Sequence, residues 1–326
     1  MIRRSLLAML MAAAALAVAP TPAAAQAPSD ALERAAVAQQ PPEIKHELGP
    51  AAIIMPHITD SKTLDLPCWD SDWVCEVELP TWPVRIGDTT IDMGPTKHVV
   101  FMLLAAVLCV VTLVGAARAQ KRSTSKFGHP TGFAAGMESV VLLLRGVFKD
   151  VLGPHGEGYI PFVLTLFFFI LFMNLMGVIP YGSTPTGNVN VTATLAACSF
   201  VATETAGMFA LGAAGYMKTI VYWPSEVPLG VKLPLTIIMT PVELVGKFTK
   251  PFALTIRLFA NMIAGHVIML AMIGLALLFG SWFIAIPPVL MAFGIMLLEV
   301  LVSTIQAFIF ALLAAVFIGQ IRMASH

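Results

Sequence analysis

The chain of 326 residues is poor in charged side chains. Asp, Glu, Lys and Arg make up 12% of it, hydrophobic residues make up 58%, and the 19 basic and 19 acidic residues cancel. Soluble domains usually carry about twice that share of charge. The shortage excludes a soluble globular enzyme, a disordered chain and a typical nucleic-acid-binding protein, so no nucleic-acid partner is expected. An integral membrane protein remains.

Three further absences narrow the class of membrane protein. The sequence contains no H-E-x-x-H pair, as an intramembrane metalloprotease would need, and no G-x-x-x-x-G-K-[ST] phosphate loop. It also lacks the internal repeat from which secondary transporters are usually built. We therefore expect neither a metal nor a cofactor. A secondary ion transporter with an intramembrane Arg/His/Glu site is kept as the alternative function.

Residues 1–25 are typical of a secretory signal peptide. Arg3 and Arg4 precede a short apolar run over 6–19, and an A-x-A pattern follows at 23–25. The run is too short to span a bilayer comfortably. An uncleaved signal anchor is the alternative, and either segment would deliver the residues after it outside the cytoplasm.

Residues 26–97 hold no long apolar run and are interpreted as an exported N-terminal tail or cap. Prolines at 41–42 and between 80 and 83 predict irregular segments. Cys68 and Cys75 would meet an oxidising compartment, where a local disulfide forms readily. We predict that disulfide, with two free thiols as the alternative.

The rest of the sequence predicts an all-α integral membrane protein. A basic cluster at 118–126 directly follows the first apolar run and marks the cytoplasmic side. This agrees with an exported N-terminus, and five crossings from there put the C-terminus in the cytoplasm. The prediction is about five membrane-crossing helices and one amphipathic helix on the cytoplasmic face. The crossings lie at 99–117, 159–180, 191–216 and in two stretches between 234 and 322, and the amphipathic helix lies at 133–153.

The last two predicted helices are unusually long. They are expected to separate near Gly280 and the Pro287–Pro288 pair. Each exceeds the roughly 20 residues that a perpendicular crossing needs. We therefore predict that both are strongly tilted in the bilayer.

Arg257 stands in an apolar stretch that carries no further formal charge until Glu299. Placing a charged side chain in hydrocarbon costs about 2.5 kcal/mol or more on insertion scales. Arginine does not escape this cost, because it does not lose its proton in proteins. Arg257 must therefore face water, a carboxylate or both. A structural arginine near a helix end is the alternative.

Glu299, Ser303 and Gln306 form a polar stripe on the last helix. Steps of four and three residues return nearly to the same helix face. A hydrated stripe of this kind suits the passage of protons or ions. Hydrogen bonding between helices is the alternative for Ser303 and Gln306.

A second polar face precedes and includes Arg257. Its residues, spaced by 4, 3, 7 and 4, are Glu243, Lys247, Lys250, Arg257 and Asn261. The alignment across Pro251 is approximate. Glu243 either guards a cytoplasmic water entrance or pairs with Lys247.

His266 follows Arg257 by nine residues, so an unbroken helix turns it about 180° away and displaces it by about 13.5 Å along the axis. The two side chains should therefore not share one small-ion site. Histidine titrates near neutral pH and suits a proton relay at another depth. A buried structural histidine is the alternative.

Three segments together resemble the ATP synthase subunit a family. They are Lys250–His266 (KPFALTIRLFANMIAGH), Ser303–Phe310 (STIQAFIF) and Met173–Pro180 (MNLMGVIP), and they occur in the family's order. The resemblance covers roughly residues 95–322 and implies a subunit a membrane domain over 98–326.

The resemblance implies the stator half of a rotary motor in a bacterial inner membrane. Such a subunit is not catalytic alone; it works with a c-subunit ring, peripheral-stalk b subunits, the rest of the ATP synthase and the lipid. Two offset half-channels would lead protons to and from the ring carboxylates. In this reading Arg257 faces those carboxylates. The other implied ion-translocation residues are Asn261, His266, Glu299, Gln306, Glu243, Ser303 and Asn174, with the His and Glu of some relatives exchanged here between positions 266 and 299.

Overall fold

The computed structural model describes residues 59–67, 74–86, 89–92, 94–127, 132–154, 156–179, 182–221, 228–278 and 282–323. The predicted signal peptide lies outside these residues. So do Cys68 and the side chain of Cys75, and the predicted disulfide therefore stays a prediction.

The described residues contain six α-helices. Their bounds are α1 (Lys97–Phe127), α2 (Phe133–Leu152), α3 (Ile160–Met176), α4 (Val189–Ile220), α5 (Leu229–Leu278) and α6 (Trp282–Met323). Within this part of the chain, α1 and α3 to α6 are long and apolar enough to cross a membrane. The predicted all-α integral membrane protein with five crossing helices is thereby confirmed. The placement of α2 on a membrane face and the tilt of the last helices stay predictions.

Two short β-hairpins precede α1. Strand β1 (Thr63–Pro67) pairs antiparallel with β2 (Val74–Glu78), and β3 (Pro83–Ile86) pairs antiparallel with β4 (Thr89–Asp92). The irregular segment expected up to Pro83 was wrong at its end, because Pro83 begins β3. A proline at the first position of a strand is compatible with the ladder.

The start of α1 is tied to the segment before the hairpins. The carboxylate of Asp60 accepts the backbone N–H of His98 at 3.2 Å and lies 3.2 Å from its Nδ1, and the backbone N–H of Lys97 donates to the carbonyl of Ser61 at 2.9 Å. Burial acts to raise the pKa of Asp60, but its hydrogen bonds and charge interaction with His98 prevail and hold this pKa below its ordinary value.

The chain divides into two compact units. One holds the described parts of 18–100 and 264–297, and the other holds those of 101–263 and 298–326. The second of these has its core around α3, where Val163, Ile170 and Met173 are fully buried. On α6 the core face is built largely from alanines and small residues, which let membrane helices approach closely.

Two glycines lie where helices of this unit pack closely together. A Cβ added to Gly319 of α6 would lie 2.6 Å from the carbonyl oxygen of Val151 in α2, and one added to Gly207 of α4 would lie 2.7 Å from Ile321. A larger residue at Gly319 would force the backbones of α6 and α2 apart, and one at Gly207 would force the Ile321 side chain to move.

The prolines have a different effect from the one expected. Helix α5 ends at Leu278 and α6 begins at Trp282, so the separation predicted near Gly280 is confirmed. Pro287 and Pro288 lie inside α6, so the separation predicted at this pair was wrong. Membrane helices tolerate proline where neighbouring groups satisfy the freed backbone carbonyls. Pro251 likewise lies inside α5, which continues through it.

Candidate functional site

Arg257 lies on an exposed part of α5 between apolar neighbours. Phe252 is 66% exposed and Ile256 is 42% exposed, and Arg257 and Asn261 are themselves exposed. Among the described residues no carboxylate forms an ion pair with Arg257. The guanidinium group therefore lies on the outer surface of the helix bundle.

The polar stripe of α6 is buried. Glu299, Ser303 and Gln306 are 4%, 0% and 4% exposed, so the three residues share the inward face that their spacing indicates. An ionisable carboxyl group is therefore held within the helix bundle rather than at its surface.

Asn174 connects this stripe to the loop after α3. Its side chain is fully buried, donates from Nδ2 to the carbonyl oxygen of Ser303 at 3.3 Å, and accepts the hydroxyl of Thr186 at 2.7 Å. Thr186 belongs to a 3-10 turn, Pro185–Gly187. Sequence reasoning missed Thr186 because it stands in a polar loop with no periodic signal.

Helices α5 and α6 meet through polar groups just beyond Arg257. The Nδ2 of Asn261 donates to Oε1 of Gln306 at 3.5 Å, a long hydrogen bond, and the Ser303 hydroxyl approaches the sulfur of Met262 at 3.9 Å. A chain of polar side chains therefore runs from the buried face of α6 to the exposed face of α5.

His266 lies further along the same helix and is 8% exposed. It belongs to α5, which runs from Leu229 to Leu278.

A polar cavity of about 180 Å³ opens among α4, α5 and α6. Four charged residues contribute to its wall, and hydroxyl and amide groups supply most of the other polar atoms. The charged residues are Glu204, Glu243, Lys247 and Lys250; the neutral polar ones are Ser199, Thr203, Thr219 and Gln320.

Lys247 forms its ion pair with Glu204. Its Nζ lies 3.3 Å from Oε2 of Glu204 and 4.6 Å from the ring centroid of Tyr216, whose hydroxyl donates to the same carboxylate. Lys247 is 9% exposed, whereas Glu243 is exposed at the cavity wall. The alternative in which Glu243 takes Lys247 as its partner is therefore not the one in the structure.

Glu204 and Tyr216 were not predicted as site residues. The available signal was that Glu204 is the single acidic residue in the apolar stretch 191–216. No group of three or more His, Cys, Asp or Glu side chains in the described part of the chain is arranged to hold a metal ion.

The chain is similar to known proteins over most of its length. The family model described as ATP synthase A chain matches residues 99–319. "ATP synthase subunit a 2" of Chlorobaculum tepidum is 42% identical over 277 residues, covering 84% of this chain and 74% of that protein. "ATP synthase subunit a" of Myxococcus xanthus is 44% identical over 243 residues, covering 73% and 77% respectively. "ATP synthase subunit a 2" of Prosthecochloris aestuarii is 40% identical over 299 residues, covering 91% and 86%.

Proposed function

The chain belongs to the ATP synthase subunit a family, and from that premise we propose that it is the proton-channel stator of the F0 rotary motor. As a family member it is a multi-pass membrane protein that works within the ATP synthase complex. The proposal adds its immediate partners, a c-subunit ring and peripheral-stalk b subunits, and a mechanism that couples proton flow to ATP synthesis.

The exposed guanidinium of Arg257 carries the proposal. It stands among apolar side chains on a helix that crosses the membrane. An uncompensated charge there costs about 2.5 kcal/mol or more on insertion scales. A carboxylate on the neighbouring c subunit would supply the missing counter-charge. Exposed apolar side chains of α5 and α6 would then form the surface along which the ring moves; in this part of the chain they include Phe252, Ile256, Leu298, Leu301 and Ile305.

The buried polar stripe supports an external half-channel. Glu299 offers a carboxyl group for proton transfer, and polar groups beside it can hold water along the path. A proton delivered this way neutralises a ring carboxylate, which then enters lipid at low cost because it carries no charge. The other residues assigned to this path are Ser303, Gln306, Asn174, Asn261 and His266.

The polar cavity supports a cytoplasmic half-channel, with Glu243 at its wall. After nearly a full turn the ring carboxyl group would release its proton there. Arg257 then favours the ionised carboxylate and blocks a direct leak between the two paths. Each charge that crosses 100 mV releases about 2.3 kcal/mol, and this drives rotation.

We also propose an arrangement of the chain in the membrane. Residues 1–25 are a signal peptide, 26–97 an exported tail and 98–326 the membrane domain. The C-terminus lies in the cytoplasm, and the membrane is the bacterial inner membrane.

Affinity purification in mild detergent tests the proposal against an independent secondary transporter. We expect a tagged chain to be recovered with stoichiometric c and b subunits and with ATPase activity. Recovery of the chain without c subunits, from membranes in which it is fully folded, would contradict the stator function.

A further inference from the structure

We propose that Glu204 neutralises the charge of Lys247 in the polar cavity, with Tyr216 holding the pair in place, and that this keeps the cavity permeable to protons. The proposal rests on the proposed function, because it concerns the cavity of the proposed cytoplasmic proton path. It gives these residues a positioning and electrostatic role and leaves proton transfer itself to other groups.

The ammonium group of Lys247 is held from several directions. Glu204 binds it as an ion pair at 3.3 Å, the hydroxyl oxygen of Tyr216 lies 3.4 Å away, and the ring of Tyr216 faces it at 4.6 Å. Both partners come from α4, while Lys247 comes from α5. The cluster thus binds together two helices that form the cavity wall.

A glycine in α4 makes this cluster possible. Glu204 and Tyr216 are twelve residues apart, a distance of about 18 Å along a straight helix, which their side chains cannot bridge. Gly212 lies between them with φ 69° and ψ 166°, a backbone conformation essentially restricted to glycine. The kink turns the end of α4 so that the Tyr216 hydroxyl meets the Glu204 carboxylate.

The charges around the cavity balance. Two ammonium groups, of Lys247 and Lys250, and two carboxylates, of Glu204 and Glu243, contribute to its wall. Lys250 places its Nζ 4.9 Å from the ring centroid of Phe317. With Glu204 engaged by Lys247, the carboxylate of Glu243 is left to attract a proton against the single charge of Lys250.

Loss of the Glu204 charge would upset that balance. Glu204→Gln leaves two cations and one carboxylate around the cavity, and a passing proton is repelled by the excess positive charge. Adding Lys247→Met removes one cation and restores neutrality. If Glu204 is needed only for charge balance, the second substitution restores proton pumping. If Glu204 itself carries the proton, pumping stays low in the double variant.

The test measures proton flux in inverted membrane vesicles that contain the complete ATP synthase, normalised to the amount of assembled subunit a. We expect Glu204→Gln to lower ATP-driven proton pumping by about ten-fold, because the uncompensated Lys247 charge repels a passing proton. We expect the Glu204→Gln/Lys247→Met double variant to return to within about three-fold of the unmodified complex. Unchanged pumping in Glu204→Gln, or a double variant as impaired as the single one, would overturn the proposal.

A matched control makes the same chemical change in an exposed ion pair. Lys149 and Glu157 lie 2.9 Å apart with side chains 53% and 46% exposed. Glu157→Gln should leave pumping unchanged, since surface pairs of this kind contribute little.

The charge-reversed variant Glu204→Lys/Lys247→Glu keeps the experiment decisive if Glu204→Gln fails to assemble. It retains neutrality and an ion pair, so pumping within about three-fold of normal is expected, and loss of pumping in the assembled variant would contradict the proposal. Failure of the stator function itself has a different signature: an assembled Arg257→Ala variant would then pump normally, whatever the Glu204 variants do.

Discussion

The side-chain amide of Asn261 lies 3.5 Å from that of Gln306, across the contact between α5 and α6. Asn261 is exposed beside Arg257, whereas Gln306 is 4% exposed and belongs to the buried face that carries Glu299. The pair therefore connects the inside of the helix bundle with the surface on which the guanidinium stands. In the proposed mechanism a proton leaves the external path at this connection.

The first prediction concerns the buried carboxyl group of the stripe. Glu299→Gln keeps the shape and much of the hydrogen bonding but removes the proton that the group can exchange, so we expect proton flux through the assembled complex to fall by about a hundred-fold, a typical loss when an acid–base group is removed. Flux should be followed by pH-sensitive dye in vesicles between pH 6 and 9. Unchanged flux over this range would exclude a relay role.

The second prediction concerns the hydrogen bond between Thr186 and Asn174. Thr186→Val would leave the buried Oδ1 of Asn174 without its donor at 2.7 Å, at a cost of about 1–3 kcal/mol. This loss should lower the melting temperature of subunit a, measured within the purified complex. Thr194→Val is the control, because the Thr194 hydroxyl bonds a carbonyl of its own helix and stability should change little. Equal melting of both variants would show that the buried bond contributes nothing.

The third prediction concerns the kink of α4. Gly212→Ala meets no atom within 4 Å of the added Cβ, so any effect comes from the backbone, where the positive φ costs about 1–3 kcal/mol. We expect loss of the Tyr216–Glu204 contact and a fall in proton flux.

Gly146→Ala provides the comparison for that variant. Its Cβ also meets nothing within 4 Å, and Gly146 lies within α2. Alanine is favoured there, so stability should stay equal or rise slightly. A Gly212→Ala variant that behaves like Gly146→Ala would mean that the kink does not depend on glycine.

The fourth prediction concerns pH and the start of α1. Because the pKa of Asp60 is lowered in the folded chain, the carboxylate stabilises the fold above its unfolded pKa of about 3.9, and this contribution is lost as the pH falls through the lower folded value. Asp60→Asn should therefore lower the free energy of opening at neutral pH by about 1 kcal/mol, since the group is partly exposed.

Hydrogen exchange of the His98 amide, corrected for intrinsic rates, measures this difference. It should be largest above pH 4 and shrink at lower pH as the carboxylate of the unmodified chain becomes protonated. A difference that grows on acidification would contradict the hydrogen bond assigned between the His98 amide and the Asp60 carboxylate.

The sequence predicts those parts of the fold that depend on long apolar stretches or on regular helical spacing. The five crossing helices follow from charge-poor stretches, and the shared burial of Glu299, Ser303 and Gln306 follows from helical spacing. The hairpins before α1 are not predicted, because strands of four and five residues show little periodic pattern in the sequence.

Contacts between distant segments are harder to predict. The pairing of Lys247 with Glu204 depends on how α4 packs against α5, and the contact of Tyr216 with Glu204 depends on the positive φ of Gly212. Neither is visible in local composition. Thr186 reaches Asn174 through a turn whose loop has no regular pattern. In both cases tertiary packing decides which polar groups meet.

Arg257→Ala tests the central claim most directly. The variant should be measured for ATP-driven proton pumping and for ATP synthesis in inverted vesicles, after its assembly with the c and b subunits has been verified. Because the guanidinium both favours the ionised ring carboxylate and blocks a direct leak, we predict that both activities are abolished. Normal coupled pumping and synthesis in the assembled variant would contradict the proposed mechanism.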